Sequence, residues 1–169
     1  MAKDTAGAHR KLGLTIAGLI FVADQLVKWV ITYPLQLPQR ERIEVFSFFD
    51  LKWVNNPGVS MGFLPADGPV ARWLLVALTG LIALAVLVWL WREKRRDDAV
   101  ALSFVLGGAL GNILDRIRFG HVIDFADLHF GEVHPFLVFN VADAAITIGV
   151  LLLLVRALFT RSPKSGKEV

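Results

Sequence analysis

The sequence predicts an all-α membrane bundle, four transmembrane helices carrying a small extracytoplasmic β platform, and three observations predict it. Hydrophobic residues fill 55% of the 169 positions, more than the roughly 45–50% of an ordinary soluble domain. They gather into four apolar runs, at about residues 12–31, 70–91, 99–114 and 139–159, on the scale of the ~20 residues that cross a hydrocarbon layer of about 30 Å. The basic residues stand in short clusters between those runs, where they read as topology signals. Residues 1–169 are therefore expected to form a single polytopic membrane domain.

The first run, Leu12 to Ile31, follows Arg10 and Lys11 as a secretory signal would. Its length, the absence of a small-residue cleavage site, and Asp24 and Lys28 inside it favour an uncleaved spanning helix. The second, Val70 to Trp91, ends in a Trp89 and Trp91 belt followed by Arg92, Lys94, Arg95 and Arg96, a membrane exit. The third, Ala99 to Leu114, is short and glycine-rich. Gly107 and Gly111 predict close helix approach inside the bundle. The fourth, Phe139 to Phe159, closes with Arg156, Arg161, Lys164 and Lys167, and the tail beyond Ser162 is expected to be disordered.

Four crossings put both termini and the Arg92 to Asp98 loop, with most of the basic residues, on one side, which is then the cytoplasmic one. The opposite side receives about 32–69 and 116–138. In them, Ile43 to Val54 and Phe125 to Phe139, the latter around a Gly131-Glu132 turn signal, predict short strands. Phe46, Phe48, Phe49 and Trp53 suit the bilayer interface. A formal charge of +3 distributed in this way does not suggest a nucleic acid partner. Cysteine is absent, which excludes thiol catalysis, disulfides and Cys-ligated zinc.

A charged side chain at membrane depth costs roughly 2.5–3.5 kcal/mol, so each one needs a reason. Asp24 and Lys28 lie four apart with the acid first, the favourable order for a self-neutralising pair that fixes helix packing. Asn112, Asp115 and Arg116 share one face at the end of the third run. Arg116 could pair with Asp115, or its fork could meet a carboxylate or lipid phosphate. Asp124 sits in an apolar frame, Val122-Ile123-Asp124-Phe125, and Asp143 falls in the first turn of the fourth helix after Asn140 as a cap.

If Asp124 and Asp143 face each other, one shared proton makes one an acid and the other a base. That equips them to split an amide with water. On spacing alone they could equally be a helix-end carboxylate and a loop acid. His121, Asp124, Asp127, His129 and His134 form a dense set of metal-ligand types, but without helical H-E-x-x-H order or any Cys. No metal and no cofactor is the expectation. Ser60, Ser103 and Thr147 lack a recognisable base beside them.

Five local patterns now bear on identity: Asp24-Gln25-x-x-Lys28, Asn56-Pro57-Gly58, Gly108-Ala109-x-Gly111-Asn112-x-x-Asp115-Arg116, Gly120-His121-Val122-x-Asp124-Phe125, and Phe139-Asn140-x-Ala142-Asp143. Together, in this order and between four apolar runs, they resemble the lipoprotein signal peptidases, or signal peptidase II. The resemblance implies an inner-membrane aspartic endopeptidase cutting diacylglyceryl-modified prolipoproteins just before the lipidated cysteine. It implies that Asp124 and Asp143 are the catalytic dyad. Asn56, Gly58, Asn112, Asp115, Arg116 and Asn140 would then line or support the site, with Asp24 and Lys28 as the first-helix polar pair. Phospholipids and lipid-modified prolipoproteins are the implied partners, globomycin-type antibiotics the implied inhibitors, and the periplasmic face the implied side of the site. One departure shows in Val59-Ser60-Met61-Gly62-Phe63, where Met61 stands at the family's aromatic place. A small proton-coupled transporter is the alternative, since intramembrane acids also build proton relays; the lack of an evident internal repeat argues against it.

Overall fold

The computed structural model describes residues 2–58 and 69–159. The Val59 to Phe63 departure, Ser60, Gly62, Gly68 and the tail beyond Ser162 lie outside the described residues. In order come α1 (Ala2–Thr32), a one-turn α2 (Leu37–Arg40), β1 (Arg42–Phe46), β2 (Phe49–Asn56), α3 (Pro69–Arg92), α4 (Arg96–Phe119), β3 (Val122–Leu128) and α5 (Val141–Phe159). Among the described residues, four helices are long and apolar enough to cross a membrane: Gly7–Thr32 within α1, then α3, α4 and α5. Their outer faces leave Leu74, Leu78, Leu81, Leu151 and Leu154 exposed. Water would penalise such faces, and lipid does not.

The helix α4 is the centre of the bundle and packs on α5, α1 and α3. Its glycines allow this. A Cβ at Gly107 would lie 2.6 Å from the Ala17 carbonyl of α1, and one at Gly108 would lie 2.4 Å from the Ala142 carbonyl of α5. The close approach expected at Gly107 and Gly111 is thus toward α1, while Gly108 serves α5. The helix also outruns its apolar stretch at both ends. Asp97 and Asp98 occupy its first turn and Arg116 and Arg118 its last, where acids and bases complement the helix dipole. Polar residues that end the hydrophobic run therefore continue the helix, until Gly120 caps it in a left-handed conformation.

The platform is an antiparallel sheet in the order β1-β2-β3. The expected single piece at 43–54 is a hairpin that turns at Ser47 and Phe48. No Gly or Asn marks that turn, which is why the pattern read as continuous. The second expected strand starts earlier than Phe125, at Val122, and ends at Leu128. Beyond it only isolated bridges remain, Phe130 to Val133 across Gly131, and Ala126 to Phe139.

Two apolar cores hold the parts together. One lies within the bundle around Ala17, Leu90, Ala99, Leu102 and Leu106. The other lies under the sheet, where Ile31, Leu37, Phe125 and Ala126 meet Phe49, Leu51, Trp53 and Phe139. Of the four aromatics expected at the interface, Phe46 and Phe48 are exposed and stacked with centroids 5.6 Å apart. Phe49 and Trp53 instead pack on the lower core. That core anchors β3 to the end of α1, and β3 carries Asp124.

Candidate active site

The polar residues that interrupt the apolar runs converge where the sheet meets the helix ends. Asp24 and Lys28, one turn apart on α1, are both buried, with Lys28 Nζ 2.8 Å from Asp24 Oδ2. The same ammonium lies 2.7 Å from Asp115 Oδ2 on α4 and 3.3 Å from Asn112 Oδ1. The first-helix pair is therefore a triad across two helices, and the suggested Asp115 to Arg116 pairing is replaced by Asp115 to Lys28. Adjacent side chains on α4 point apart by about 100°, and the buried one meets α1.

Every oxygen of this triad has a donor. Asp24 Oδ1 accepts the Ala142 N–H of α5 at 2.9 Å, satisfying a backbone group that the first turn of a helix leaves unpaired. Gln25 donates to Asp24 and, at 2.9 Å, to Asp115 Oδ1, and the Ile123 N–H reaches Asp115 Oδ2 at 3.2 Å. Gly111 makes the space, because a Cβ there would stand 2.5 Å from Asp24 Oδ2. The triad thereby pins α1 to α4, the start of α5 and the start of β3.

Asp124 and Asp143 are held differently. Asp124, 1% exposed on β3, accepts the Asn56 carboxamide on Oδ2 at 2.9 Å and the Asn140 carboxamide on Oδ1 at 2.6 Å. Asn140 and Asp143 form a reciprocal helix cap. The Asp143 N–H donates to Asn140 Oδ1 at 2.9 Å, and the Asn140 N–H donates to Asp143 Oδ2 at 3.2 Å. Asn112 donates to Asp143 Oδ1 at 2.8 Å. One asparagine, Asn140, thus touches both acids, and Asn112 joins the pair back to Lys28. Among the described residues no ion pair reaches either acid.

Burial pushes the Asp124 carboxyl up to about 6, and the nearby charge of Asp143 pushes it the same way. The Asn56 and Asn140 hydrogen bonds and the more distant Lys28 oppose the rise. Asp143 is half-buried and opens into an apolar groove of about 320 Å³ along α5, lined by Leu128, Phe136, Leu137, Phe139, Thr147 and Ile148. The two acids therefore differ in access: one is enclosed and the other faces a lipid-like slot.

Gly58 and Arg116 complete the surroundings. The Gly58 N–H donates to Asn56 Oδ1 at 2.8 Å with a φ of 84°, a backbone region that glycine enters without strain. A Cβ at Gly58 would come within 2.9 Å of Arg116 Nη2. The Arg116 guanidinium is half-buried, reaches the Asn112 carbonyl at 3.5 Å, and leaves Nε without a partner among the described residues. Its nearest acids in electrostatic effect are Asp143 and Asp124.

The histidines scatter. His129 lies 3.1 Å from Asp50, which Arg42 also binds, His134 pairs with Asp127 at 3.0 Å, and His121 sits at the end of α4 with burial lowering its pKa. Among the described residues no three His, Asp or Glu side chains group as metal donors. Sequence reasoning gave Gln25 no role, although it stood inside a quoted motif. It also missed the buried Asp50, whose partners Arg42 and His129 lie on the flanking strand and after β3. Asp50 breaks an otherwise apolar stretch, the one signal that could have exposed it.

Comparison with known proteins gives a consistent picture. A family model described as signal peptidase (SPase) II matches residues 16–159. A lipoprotein signal peptidase from Rhizorhabdus wittichii is 58% identical over 165 residues, 98% of this chain and 96% of the relative. One from Sphingopyxis alaskensis is 53% identical over 150 residues, 89% of this chain and 87% of the relative. A bacterial membrane enzyme solved by the in meso method at 2.3 Å superposes with a TM-score of 0.77 at 29% identity, covering 94% of each chain.

Proposed function

The chain belongs to the signal peptidase II family, and from that premise we propose that it removes the signal peptides of diacylglyceryl-modified prolipoproteins by cutting just before the lipidated cysteine. Asp124 and Asp143 are its catalytic pair, water is the nucleophile, and no cofactor takes part. The enzyme sits in the bacterial inner membrane with both termini cytoplasmic and the dyad near the periplasmic face. The observation that carries this reading is the bridging of two acids, from β3 and α5, by one residue: the Asn140 carboxamide donates to the Asp124 carboxyl and the Asn140 backbone N–H to the Asp143 carboxyl.

The two carboxyls differ in the way acid and base must differ. Asp124, raised to about 6, carries the shared proton and hydrogen-bonds the scissile carbonyl. Asp143, in the first turn of α5 and accepting N–H groups from Asn112 and Asn140, is the base. Asp143 takes a proton from a water between the acids, and the hydroxide adds to the carbonyl carbon. Asp124 gives its proton to the carbonyl oxygen to complete a diol, which collapses as Asp143 passes the water-derived proton to the leaving amine and a diol hydroxyl returns one to Asp124, restoring the singly protonated pair. Asn56, Asn112 and Asn140 hold both acids through neutral amides, so neither is locked as a carboxylate.

The substrate supports the same geometry. Its signal peptide is a spanning helix and its acyl chains lie beside the cut, so the pair must open sideways to lipid. The groove at Asp143 runs along the outside of α5 with apolar walls. The Arg116 guanidinium lies beside Gly58 and feels the charges of Asp143 and Asp124, and its Nε, without a partner among the described residues, is suited to a backbone carbonyl of the substrate. Arg116→Ala is expected to raise KM with the fold retained. A globomycin-type inhibitor is expected to compete for the same groove.

The test is cleavage of a purified diacylglyceryl-prolipoprotein in detergent micelles by wild type, Asp124→Asn and Asp143→Asn. Wild type releases the signal peptide and both variants, folded and inserted, do not. Normal processing by either variant overturns the assignment.

A further inference from the structure

A second cavity, of about 290 Å³, lies between α1, the end of α4 and β2, with neither Asp124 nor Asp143 in its lining. Two members of the triad, the ion-paired Asp115 and Lys28, reach its lining. Its walls are aromatic. Trp29 and Tyr33, one turn apart and 6.2 Å between centroids, line it together with Trp53 of β2. Arg118 stands at the rim, over the Phe119 ring at 4.9 Å and without a carboxylate partner among the described residues.

We infer that this cavity is a binding site for the headgroup of an ammonium-bearing, zwitterionic phospholipid of the phosphatidylethanolamine type. Ring faces attract an ammonium through their quadrupole, and three rings line this cavity. Arg118 is placed for the phosphate, whose oxygens its guanidinium can grip in a fork. The position agrees, because helix-end Trp and Tyr mark the headgroup level of a bilayer. The acyl chains have a track as well: Val22 and Leu26 continue the exposed face of Trp29 and Tyr33 down α1 at helical spacing. A purely anionic headgroup would meet Arg118 but bring no cation to the ring faces. The site is separate from the dyad, so its occupancy does not depend on the proposed reaction, although Lys28 and Asn112 connect the two mechanically.

Native mass spectrometry of the full chain released from detergent micelles tests this, with dioleoylphosphatidylethanolamine or dioleoylphosphatidylglycerol titrated in. The expectation is one retained phosphatidylethanolamine, favoured over phosphatidylglycerol by roughly fivefold, the scale of a single cation–π contact. Trp29→Leu removes that preference. Arg118→Gln weakens retention of both lipids by a similar factor. Equal retention of the two lipids, a preference for phosphatidylglycerol, or unchanged binding by both variants overturns the proposal. Both substitutions replace exposed side chains, and thermal unfolding in the same micelles verifies the fold. Should Trp29→Leu not fold, Tyr33→Leu on the same wall carries the same expectation.

Discussion

Two pairs of acids lie within a few side chains of each other and are held in opposite ways. Asp24 and Asp115 share a buried ammonium, Lys28, and each is also hydrogen-bonded by Gln25 and a backbone N–H. Asp124 and Asp143 have no ion pair among the described residues and rest on three asparagine amides and one backbone N–H. The first arrangement fixes position through charge: two carboxylates gripped by one ammonium in a low-dielectric setting tie α1 to α4. The second fixes position while leaving charge free to change, because a neutral amide can hold a carboxyl in either protonation state. Strength of attachment and chemical availability are thus separated within one network, with Asn112 touching both halves.

The sharpest way to break the comparison is to neutralise the second pair. Asp124→Asn and Asp143→Asn are each expected to lower processing by roughly 10³-fold or more with little change in thermal unfolding. The first pair answers in the reverse sense. Lys28→Met strands two buried carboxylates and is expected to cost about 3–5 kcal/mol of stability, measured as the unfolding midpoint in micelles. A Lys28→Met protein as stable as wild type would mean that the triad is not a frame. Gly111→Ala tests the same frame more gently. Its added methyl must displace Asp24, at an expected cost of about 1–3 kcal/mol, with kcat changing less than stability.

The smallest effect is the most diagnostic of availability. With Asp124 raised to about 6, the singly protonated pair is lost as pH rises, so kcat/KM should fall with an apparent pKa at or above about 6. The Asn56 hydrogen bond lowers that pKa, and Asn56→Ala should raise it. The alkaline limb should then move up by roughly one pH unit, since one unit corresponds to about 1.4 kcal/mol and a hydrogen bond to a charged group is worth about that much or more. A shift downward would show that the amide instead stabilises the neutral acid.

The fold was legible where composition dominates. Four apolar runs name four helices, because lipid requires every backbone group to be satisfied within the segment. The ends were less legible. Asp97, Asp98 and Arg118 read as loop residues by polarity, yet they sit in the first and last turns of α4, where they suit the helix dipole. The Ser47 and Phe48 turn carried no turn chemistry, so one expected strand became two.

At the site, local spacing put Asn112, Asp115 and Arg116 on one helical face and Asn140 at the cap of α5. Which partner each would take depends on contacts between distant segments. Asp115 meets a lysine 87 residues away in sequence number, Lys28, and Asn56 reaches Asp124 at a separation of 68. Such pairings depend on how α1, α4 and the sheet dock, which hydrophobic periodicity does not encode. The Asp50, Arg42 and His129 cluster stayed hidden for the same reason.

The claim on which the rest depends is that Asp124 and Asp143 can act on one water. An experimental structure with a bound peptide analogue carrying a hydroxyl at the scissile position tests it most directly. The expected result is that hydroxyl within hydrogen-bond reach, about 2.6–3.2 Å, of both an Asp124 and an Asp143 oxygen, with Asn140 still touching the two acids. A hydroxyl that contacts only one of them, with the other acid turned away, would contradict the account.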